Sequence, residues 1–146
     1  MKHIKMLAAA ILALVAFAFA ACGGGYGGAK VKESADKLLV IEATETGGSL
    51  EDALKSLQEA GKLTYEGTGS GENFYITSIN GYAADVSKNE YWAQYTTLAT
   101  LDNVVYSSTE YGSYTYGGQE LGYSSYGVAG MPLVKGEIYV FVIESW

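Results

Sequence analysis

The sequence lacks arginine, and its 146 residues include only one cysteine, one histidine and one proline. A single cysteine cannot form an intramolecular disulfide or supply a cysteine-rich zinc site. Without arginine no bidentate guanidinium is available for phosphate, and a formal charge of −7 repels polyanions. Nucleic acid is therefore not an expected partner. A chain of this length is expected to form one folded domain.

The amino terminus has the pattern of an export signal. A basic head from Met1 to Lys5 precedes an uncharged stretch from Met6 to Ala21 that is rich in alanine, leucine and phenylalanine. A basic segment, an apolar segment and small residues at its end are typical of a signal peptide. The apolar stretch is shorter than the roughly 20 residues of a membrane-spanning helix. We therefore predict a signal peptide over residues 1–21 rather than a permanent membrane anchor.

The end of this segment carries a second signal. Phe19-Ala20-Ala21-Cys22 resembles a bacterial lipobox, whose cysteine receives a diacylglyceryl group, although leucine is usual where Phe19 stands. The alternative is an ordinary secretory signal whose product keeps a free thiol. The glycine-rich residues 23–28 favour the lipoprotein, because they would hold a domain away from the bilayer. We predict lipidation at Cys22, attachment to the membrane at the bacterial cell surface, and a tether and linker over residues 22–37.

Catalytic residue types are scarce in the remainder of the chain. Loss of residues 1–21 removes the only histidine, so Ser-His-Asp and Cys-His mechanisms are excluded and a catalytic zinc site is not expected. The sixteen acidic residues are mostly single, and no Asp-x-Asp-x-Asp ladder for calcium is present. A pair of carboxylates as in glycosidases is the one arrangement that the composition leaves open. We predict a protein that is not an enzyme and binds no metal or cofactor.

Hydrophobic patterning predicts a small α+β domain over residues 38–146. Leu38–Thr44 has the composition of a strand. Ser49–Ala60 is predicted as an amphipathic helix, with Ser49 and Asp52 in capping-box positions and Gly61 after its end. Period-two segments follow the helix, and they predict a mixed or antiparallel sheet that one helix covers. The predicted later strands, turns and loops are Leu63–Glu66 (strand), Gly67–Gly71 (loop), Phe74–Ile79 (strand), Asn80-Gly81 (turn), Tyr91–Leu98 (strand), Val104–Tyr106 (strand), Gly117-Gly118 (turn), Leu133–Glu137 (strand and turn) and Ile138–Ile143 (central strand).

Tyrosine is abundant, with thirteen in the chain. Six of these tyrosines lie in a segment over residues 106–126 that is also rich in glycine and serine. Exposed tyrosines suit binding surfaces, because each offers a flat apolar ring and a hydroxyl at low entropic cost. Tyrosines also stabilise sheets through cross-strand pairs. The sequence leaves both interpretations open for this segment.

Several short segments, in their order and spacing, carry a family resemblance. They are Leu38–Thr44 with Ser49–Leu54, Phe74–Gly81, Tyr91-Trp92, Gly127-Val128 and Gly136–Phe141. Together they resemble the transcobalamin C-terminal-like domain, the β-domain of animal cobalamin carriers, which also occurs in bacterial surface lipoproteins. Two features depart from that family: Thr96-Thr97-Leu98 replaces a common Asn-Gly, and residues 99–126 form a longer stretch than in compact members.

The resemblance implies a β-grasp-like α+β fold and a cobalamin-like or other small molecule as the ligand. In the animal carriers this domain closes over a corrinoid that a separate α-helical barrel holds, and this chain has no room for that barrel. We expect a non-catalytic ligand-binding domain that uses aromatic stacking and main-chain hydrogen bonds. The alternative is an envelope interaction or adhesion module that recognises a protein or surface polymer through the tyrosine-rich segment. The predicted ligand-binding residues are Tyr91, Trp92, Tyr95, Tyr126, Gly127, Val128 and Met131.

Overall fold

A computed structural model of the protein describes residues 28–146. The predicted signal peptide, the lipidation of Cys22 and the first part of the tether lie outside the described residues. In the described part no helix is long and apolar enough to cross a membrane. The elements are β1 (Ala29–Ala35), β2 (Leu38–Ala43), α1 (Leu50–Glu59), β3 (Tyr65–Thr68), β4 (Tyr75–Ile79), β5 (Tyr82–Ala83), β6 (Glu90–Thr96), β7 (Thr100–Leu101), β8 (Val104–Val105), β9 (Ser107–Tyr116), β10 (Gln119–Ser124) and β11 (Ile138–Ser145), with short 3₁₀ turns at Gly71–Asn73 and Val86–Lys88.

A six-stranded sheet forms the centre of the fold. Its strand order is β1-β2-β11-β6-β10-β9, and every neighbouring pair is antiparallel. The last strand lies between β2 and β6, as its apolar character on both faces predicts. The predicted α+β class is confirmed, and of the two predicted sheet types the antiparallel one is observed.

Successive residues of a strand point to opposite faces, so the central sheet has two different surfaces. We call them the helix face and the tyrosine face. The helix face carries Leu39, Ile41, Trp92, Tyr139 and Phe141 in the larger of two buried clusters. On the tyrosine face lie Val40, Ala93, Tyr95, Ile138 and Val140, which form the second cluster with Leu121.

Helix α1 covers part of the helix face. The predicted capping box is confirmed: the Ser49 hydroxyl accepts from the Asp52 amide at 3.2 Å, and the Asp52 carboxylate accepts from the Ser49 amide at 3.0 Å. The apolar stripe predicted from helical spacing, Leu50, Ala53, Leu54 and Leu57, is completely buried. Each of its leucines stabilises the fold by roughly 1.5–3 kcal/mol through burial.

A small sheet of order β3-β4-β5 covers another part of the helix face. The Trp92 indole donates to the Tyr82 carbonyl at 3.2 Å, and the Asn80 side-chain amide donates to the Ser34 hydroxyl at 2.9 Å. The predicted Asn80-Gly81 turn is confirmed, and both residues have the positive φ that such a tight turn needs. These bonds join the small sheet to β6 and to the β1–β2 hairpin.

The β9–β10 hairpin pairs with β6 only at Gly122 and Tyr123. The rest of the hairpin bends away from β6 and folds over the tyrosine face. Tyr123 pairs with Ser108, but Gly122 already pairs with Ser113, so the intervening residues of β9 bulge out. A Cβ at Gly122 would lie 2.9 Å from the Ser108 main chain, so only glycine fits at this kink. Beyond this kink, Leu121 is fully buried against the tyrosine face. Tyr116 reaches Glu33 of β1, and burial together with the hydrogen bond to this carboxylate raises the pKa of Tyr116.

The prediction of a linker over residues 29–37 is wrong. Ala29–Ala35 forms β1, which pairs with all of β2. The sequence did not indicate this strand because most of its residues are polar or charged. Only Ala29 and Val31 are apolar residues that face inward early in the segment. Lys32 forms an ion pair with Glu42 of β2 at 2.9 Å, so the charges support the pairing instead of keeping the segment in solvent.

Two smaller differences concern strand boundaries. The predicted strand within Leu133–Glu137 is absent; Gly136 has φ +89°, and the segment turns into β11. Strand β3 includes Gly67 and Thr68, which the sequence places in a loop, because β4 supplies them with pairing partners. The predicted turn at Gly117-Gly118 is confirmed, with positive φ at both glycines.

Candidate functional site

A cleft of about 190 Å³ opens on the helix face, where β10 stops pairing with β6. The central sheet forms its floor, the start of β4 forms one wall, and the chain after β10 forms the other. None of the side chains around it is charged. The lining residues are Phe74, Tyr75, Ile76, Trp92, Gln94, Tyr123, Ser124, Ser125, Tyr126, Gly127, Val128 and Phe141.

The floor of the cleft combines an aromatic ring with two polar side chains. Phe141 pairs with Gln94 across β11 and β6, and the register places Ser124 of β10 opposite Gln94 on the other side. Ser124 is nine-tenths buried, yet its hydroxyl oxygen has no hydrogen-bond partner. Its neighbour on β9, Ser107, donates to the Leu98 carbonyl at 2.8 Å. A buried hydroxyl without a partner is uncommon in native proteins and marks the floor as a polar contact point.

The wall after β10 is fixed by contacts with the floor. The Gln94 side-chain amide donates to the Tyr126 carbonyl at 3.2 Å. The Tyr126 ring packs against Tyr106 with 5.4 Å between centroids. A Cβ at Gly130 would come within 3.3 Å of the Tyr126 side chain, so glycine lets the loop fold back on this ring. Tyr75 and Tyr126, which are 51% and 45% exposed, form the rim.

Four of the seven predicted ligand-binding residues line this cleft: Trp92, Tyr126, Gly127 and Val128. Tyr91 and Tyr95 do not, because both are an odd number of residues from Trp92 and therefore lie on the tyrosine face. The structure therefore does not bring these three aromatic residues together on one face, and their role in ligand binding stays a prediction. Met131 is fully buried in the core, and its carbonyl accepts from the Leu50 amide at 2.8 Å, so it positions the start of α1.

Tyr91 and Tyr95 instead converge on a carboxylate. Their hydroxyls donate to the two oxygens of Glu144, at 3.1 Å and 2.7 Å respectively. Burial, together with this hydrogen bond, raises the pKa of Tyr91 to about 12 and raises that of Tyr95 as well. The Tyr123 ring contacts Tyr95 edge to face, with centroids 5.4 Å apart. The group is internally satisfied, which identifies it as a structural cluster.

Eight of the twelve lining residues escaped the sequence-based site prediction, and Phe74, Gln94 and Ser124 illustrate why. Phe74 begins a recognisable strand, and its ring packs edge to face on Tyr65. Gln94 and Ser124 are ordinary polar residues in strands. Only the register of β10 against β6 brings them together, and no local sequence signal encodes that register.

A second depression, of about 290 Å³, lies beside the hairpin kink. It is lined largely by threonine and serine side chains with Glu120, and it contains no aromatic residue. Across residues 28–146 no group of three or more histidine, cysteine, aspartate or glutamate side chains is arranged to hold a metal ion. Of these two depressions, only the cleft on the helix face offers aromatic side chains to a ligand.

The fold and the cleft define a small α+β domain with an uncharged aromatic groove. Residues 47–96 match a family described as a domain of unknown function (DUF4430). The match covers about a third of the chain, from the start of α1 to the end of β6, and includes Phe74, Trp92 and Gln94 of the cleft. No curated protein matches the chain.

Proposed function

We propose that this protein is an exported, lipid-anchored binding protein without catalytic activity, and that the cleft of the helix face captures its ligand. The observation that carries the proposal is the unpartnered Ser124 hydroxyl at the floor of an uncharged aromatic cleft. Ligand sites are typically concave and apolar, with a few polar groups that orient the ligand. The cleft has this composition, and Cys22 supplies the anchor in the proposal.

The ligand class follows from the resemblance to transcobalamin-like domains, with which the matched family is associated. The cleft is smaller than the roughly 300–1,000 Å³ of pockets that enclose a drug-sized ligand. We therefore propose that it grips one ring or substituent of a cobalamin-like or other small molecule while the remainder stays outside. Trp92 and Phe74 supply flat apolar surface, and Gln94 and Ser124 supply hydrogen bonds.

Calorimetric titration with cyanocobalamin tests the cleft. We expect heat of binding with the wild-type protein purified in detergent, and at least about tenfold weaker binding in Tyr126→Ala, which removes one side of the rim. Tyr111→Ala is the matched control, because Tyr111 is 77% exposed and does not line the cleft. Absence of binding at high micromolar cyanocobalamin would refute the cobalamin-like ligand. Equal loss in both variants would refute the cleft as the site.

Membrane fractionation tests the anchor. We expect the wild-type protein in the membrane fraction and the Cys22→Ser variant in the soluble exported fraction, because one thioether-linked lipid would be lost. Retention of Cys22→Ser at the membrane would refute anchoring through this residue.

The adhesion alternative has one supporting observation, the 77% exposure of Tyr111 at the tip of the bulge in β9. Tyr114, Tyr116 and Tyr123 of the same segment pack against the tyrosine face instead. Deletion of residues 106–123 would strip that face of its cover, so Tyr111→Ala is the cleaner test. An adhesin would lose surface binding in this variant and keep its stability.

A further inference from the structure

The floor of the cleft holds two polar side chains with unused hydrogen-bonding capacity. Gln94 of β6 and Ser124 of β10 lie opposite each other on the helix face, because their neighbours Tyr95 and Tyr123 are paired. Opposite side chains on one face of an antiparallel pair have Cβ atoms roughly 4.5–5.5 Å apart. One small group of a ligand can therefore contact both side chains at once.

The two ends of the Gln94 side-chain amide have different roles. Its nitrogen donates to the Tyr126 carbonyl at 3.2 Å and so holds the wall of the cleft. This bond also identifies which end is the nitrogen, because a carbonyl accepts hydrogen bonds and does not donate them. Among residues 28–146 no donor bonds to the side-chain oxygen of Gln94. Gln94 therefore offers an acceptor to a ligand.

Ser124 offers the complementary donor. It is 9% exposed and lines the cleft, and its hydroxyl has no partner in the part of the chain that the structure describes. Rotation about the Cα–Cβ bond changes the direction in which a serine hydroxyl donates. Ser107, which pairs with Ser124 from β9, already donates its hydroxyl to the Leu98 carbonyl at 2.8 Å. Of these two paired serines, only Ser124 has a donor left for a ligand.

The rest of the lining disfavours charged ligand groups and favours flat ones. None of the twelve lining residues is charged, so a carboxylate or an ammonium group would find no counter-ion there. Removing such a group from water without a partner is costly. The rings of Phe74, Trp92 and Phe141 border the same space, and aromatic rings pack well against planar groups. The group that fits is uncharged and planar, and it carries a donor beside an acceptor.

We propose that the cleft selects a neutral carboxamide group, whose N–H donates to the Gln94 side-chain oxygen while its carbonyl accepts from the Ser124 hydroxyl. This proposal rests on the cleft being the ligand site of the proposed function, and it names the chemical group that the site recognises. The corresponding carboxylate is rejected, because it has no proton to donate to the Gln94 oxygen. Residues 28–146 contain seven lysines and sixteen acidic side chains, so their field also disfavours an anion.

The test compares three ligands that share one ring: benzamide, acetophenone and benzoate, at pH 7. Acetophenone keeps the carbonyl but has a methyl group in place of the amide nitrogen, and benzoate is charged. The full-length protein in detergent is titrated while the NMR signal of the Trp92 indole proton is followed. We expect benzamide to bind at least about fivefold more tightly than acetophenone, because one hydrogen bond is lost, and at least about tenfold more tightly than benzoate.

Two variants assign the two hydrogen bonds. Gln94→Met removes the acceptor, so benzamide and acetophenone should bind this variant equally well, whatever affinity both lose. Ser124→Ala removes the donor to the carbonyl that both ligands carry. Both should then bind at least about threefold more weakly, and the preference for benzamide should remain. Ser107→Ala is the matched control, because Ser107 does not line this cleft, and it should keep the wild-type affinities.

Equal affinity of the wild-type protein for benzamide and acetophenone would overturn the carboxamide proposal. So would benzoate binding as tight as that of benzamide, a benzamide preference that persists in Gln94→Met, or no binding of any of the three ligands. Cyanocobalamin binding that Tyr126→Ala weakens would still support the proposed function in those cases. Selective benzamide binding without cyanocobalamin binding would support the carboxamide site and refute the cobalamin-like ligand.

Discussion

The two faces of the central sheet are both rich in aromatic residues, yet they differ in how they are covered. On the helix face, α1 and the β3–β5 sheet are separate elements, and a cleft remains between the start of β4 and the loop after β10. On the tyrosine face, one folded hairpin covers the sheet, and the hydroxyls of Tyr91 and Tyr95 are satisfied by Glu144. Aromatic content alone therefore does not locate a site; incomplete cover and unpaired polar groups do.

The largest effect should come from removing the hairpin residue that fills the tyrosine face. Leu121→Ala is expected to destabilise the protein by about 3 kcal/mol, as much as Leu54→Ala under α1, because both leucines are fully buried. Urea unfolding of both variants measures this. A loss below about 1 kcal/mol for Leu121→Ala alone would show that the hairpin is not a true core layer.

The kink at Gly122, which lets the hairpin fold over the tyrosine face, should give the next largest effect. Gly122→Ala should cost about 2 kcal/mol, because its Cβ would lie 2.9 Å from the Ser108 main chain. Gly127→Ala is a suitable control, since its Cβ would meet only the Phe74 carbonyl at an ordinary 3.6 Å. Thermal unfolding that gives equal melting temperatures for the two variants would contradict the close approach at the kink.

Tyr95→Phe tests whether the tyrosine cluster is structural. Loss of the 2.7 Å bond to Glu144 should reduce stability by about 1.5 kcal/mol, because the acceptor is a carboxylate. Ligand affinity should not change, since Tyr95 lies on the face away from the cleft. A loss of cyanocobalamin binding without loss of stability, measured by calorimetric titration, would instead show that Tyr95 takes part in ligand binding.

Two buried serines that pair across β9 and β10 also differ in what their hydroxyls contribute. Ser107→Ala should cost about 1 kcal/mol, because its hydroxyl donates to the Leu98 carbonyl. Ser124→Ala should leave stability unchanged or slightly higher, since its hydroxyl has no partner, but it should weaken ligand binding. Destabilisation by Ser124→Ala comparable to that of Ser107→Ala would show that the hydroxyl already has a structural role.

The tyrosine face should also make stability depend on pH, but only in the alkaline range where Tyr91 ionises. The pKa of Tyr91 is raised to about 12 from its usual value near 10, so the folded state keeps this proton longer than the unfolded chain. Stability linked to Tyr91 is thus complete below pH 10 and is lost as the pH rises towards 12. Urea titrations at pH 9, 10 and 11 should show a shallower decline for Tyr91→Phe than for the wild type. Identical slopes would contradict the raised pKa.

Local chemistry made much of the fold predictable. Ser49 and Asp52 define the start of α1, Asn80-Gly81 defines a turn, and the apolar run of β11 predicts a central strand; the structure confirms all three. Strand β1 was missed because its charges resemble those of a linker, and its pairing with β2 is a tertiary contact that the segment itself does not reveal. Two of the seven predicted site residues, Tyr91 and Tyr95, lie away from the cleft for a different reason: they are close to Trp92 in sequence, but strand alternation places them on the opposite face.

The sequence by itself determined the α+β class, the capped helix, the turns and the shortage of catalytic residue types, because these depend on residues close together in the chain. Tertiary structure decided which tyrosines are structural and where the cleft lies. The floor of the cleft joins Gln94, Ser124 and Phe141 from three strands, and their meeting depends on long-range register and on the kink at Gly122. Such register is set by the packing of whole faces, which no local pattern in the sequence encodes.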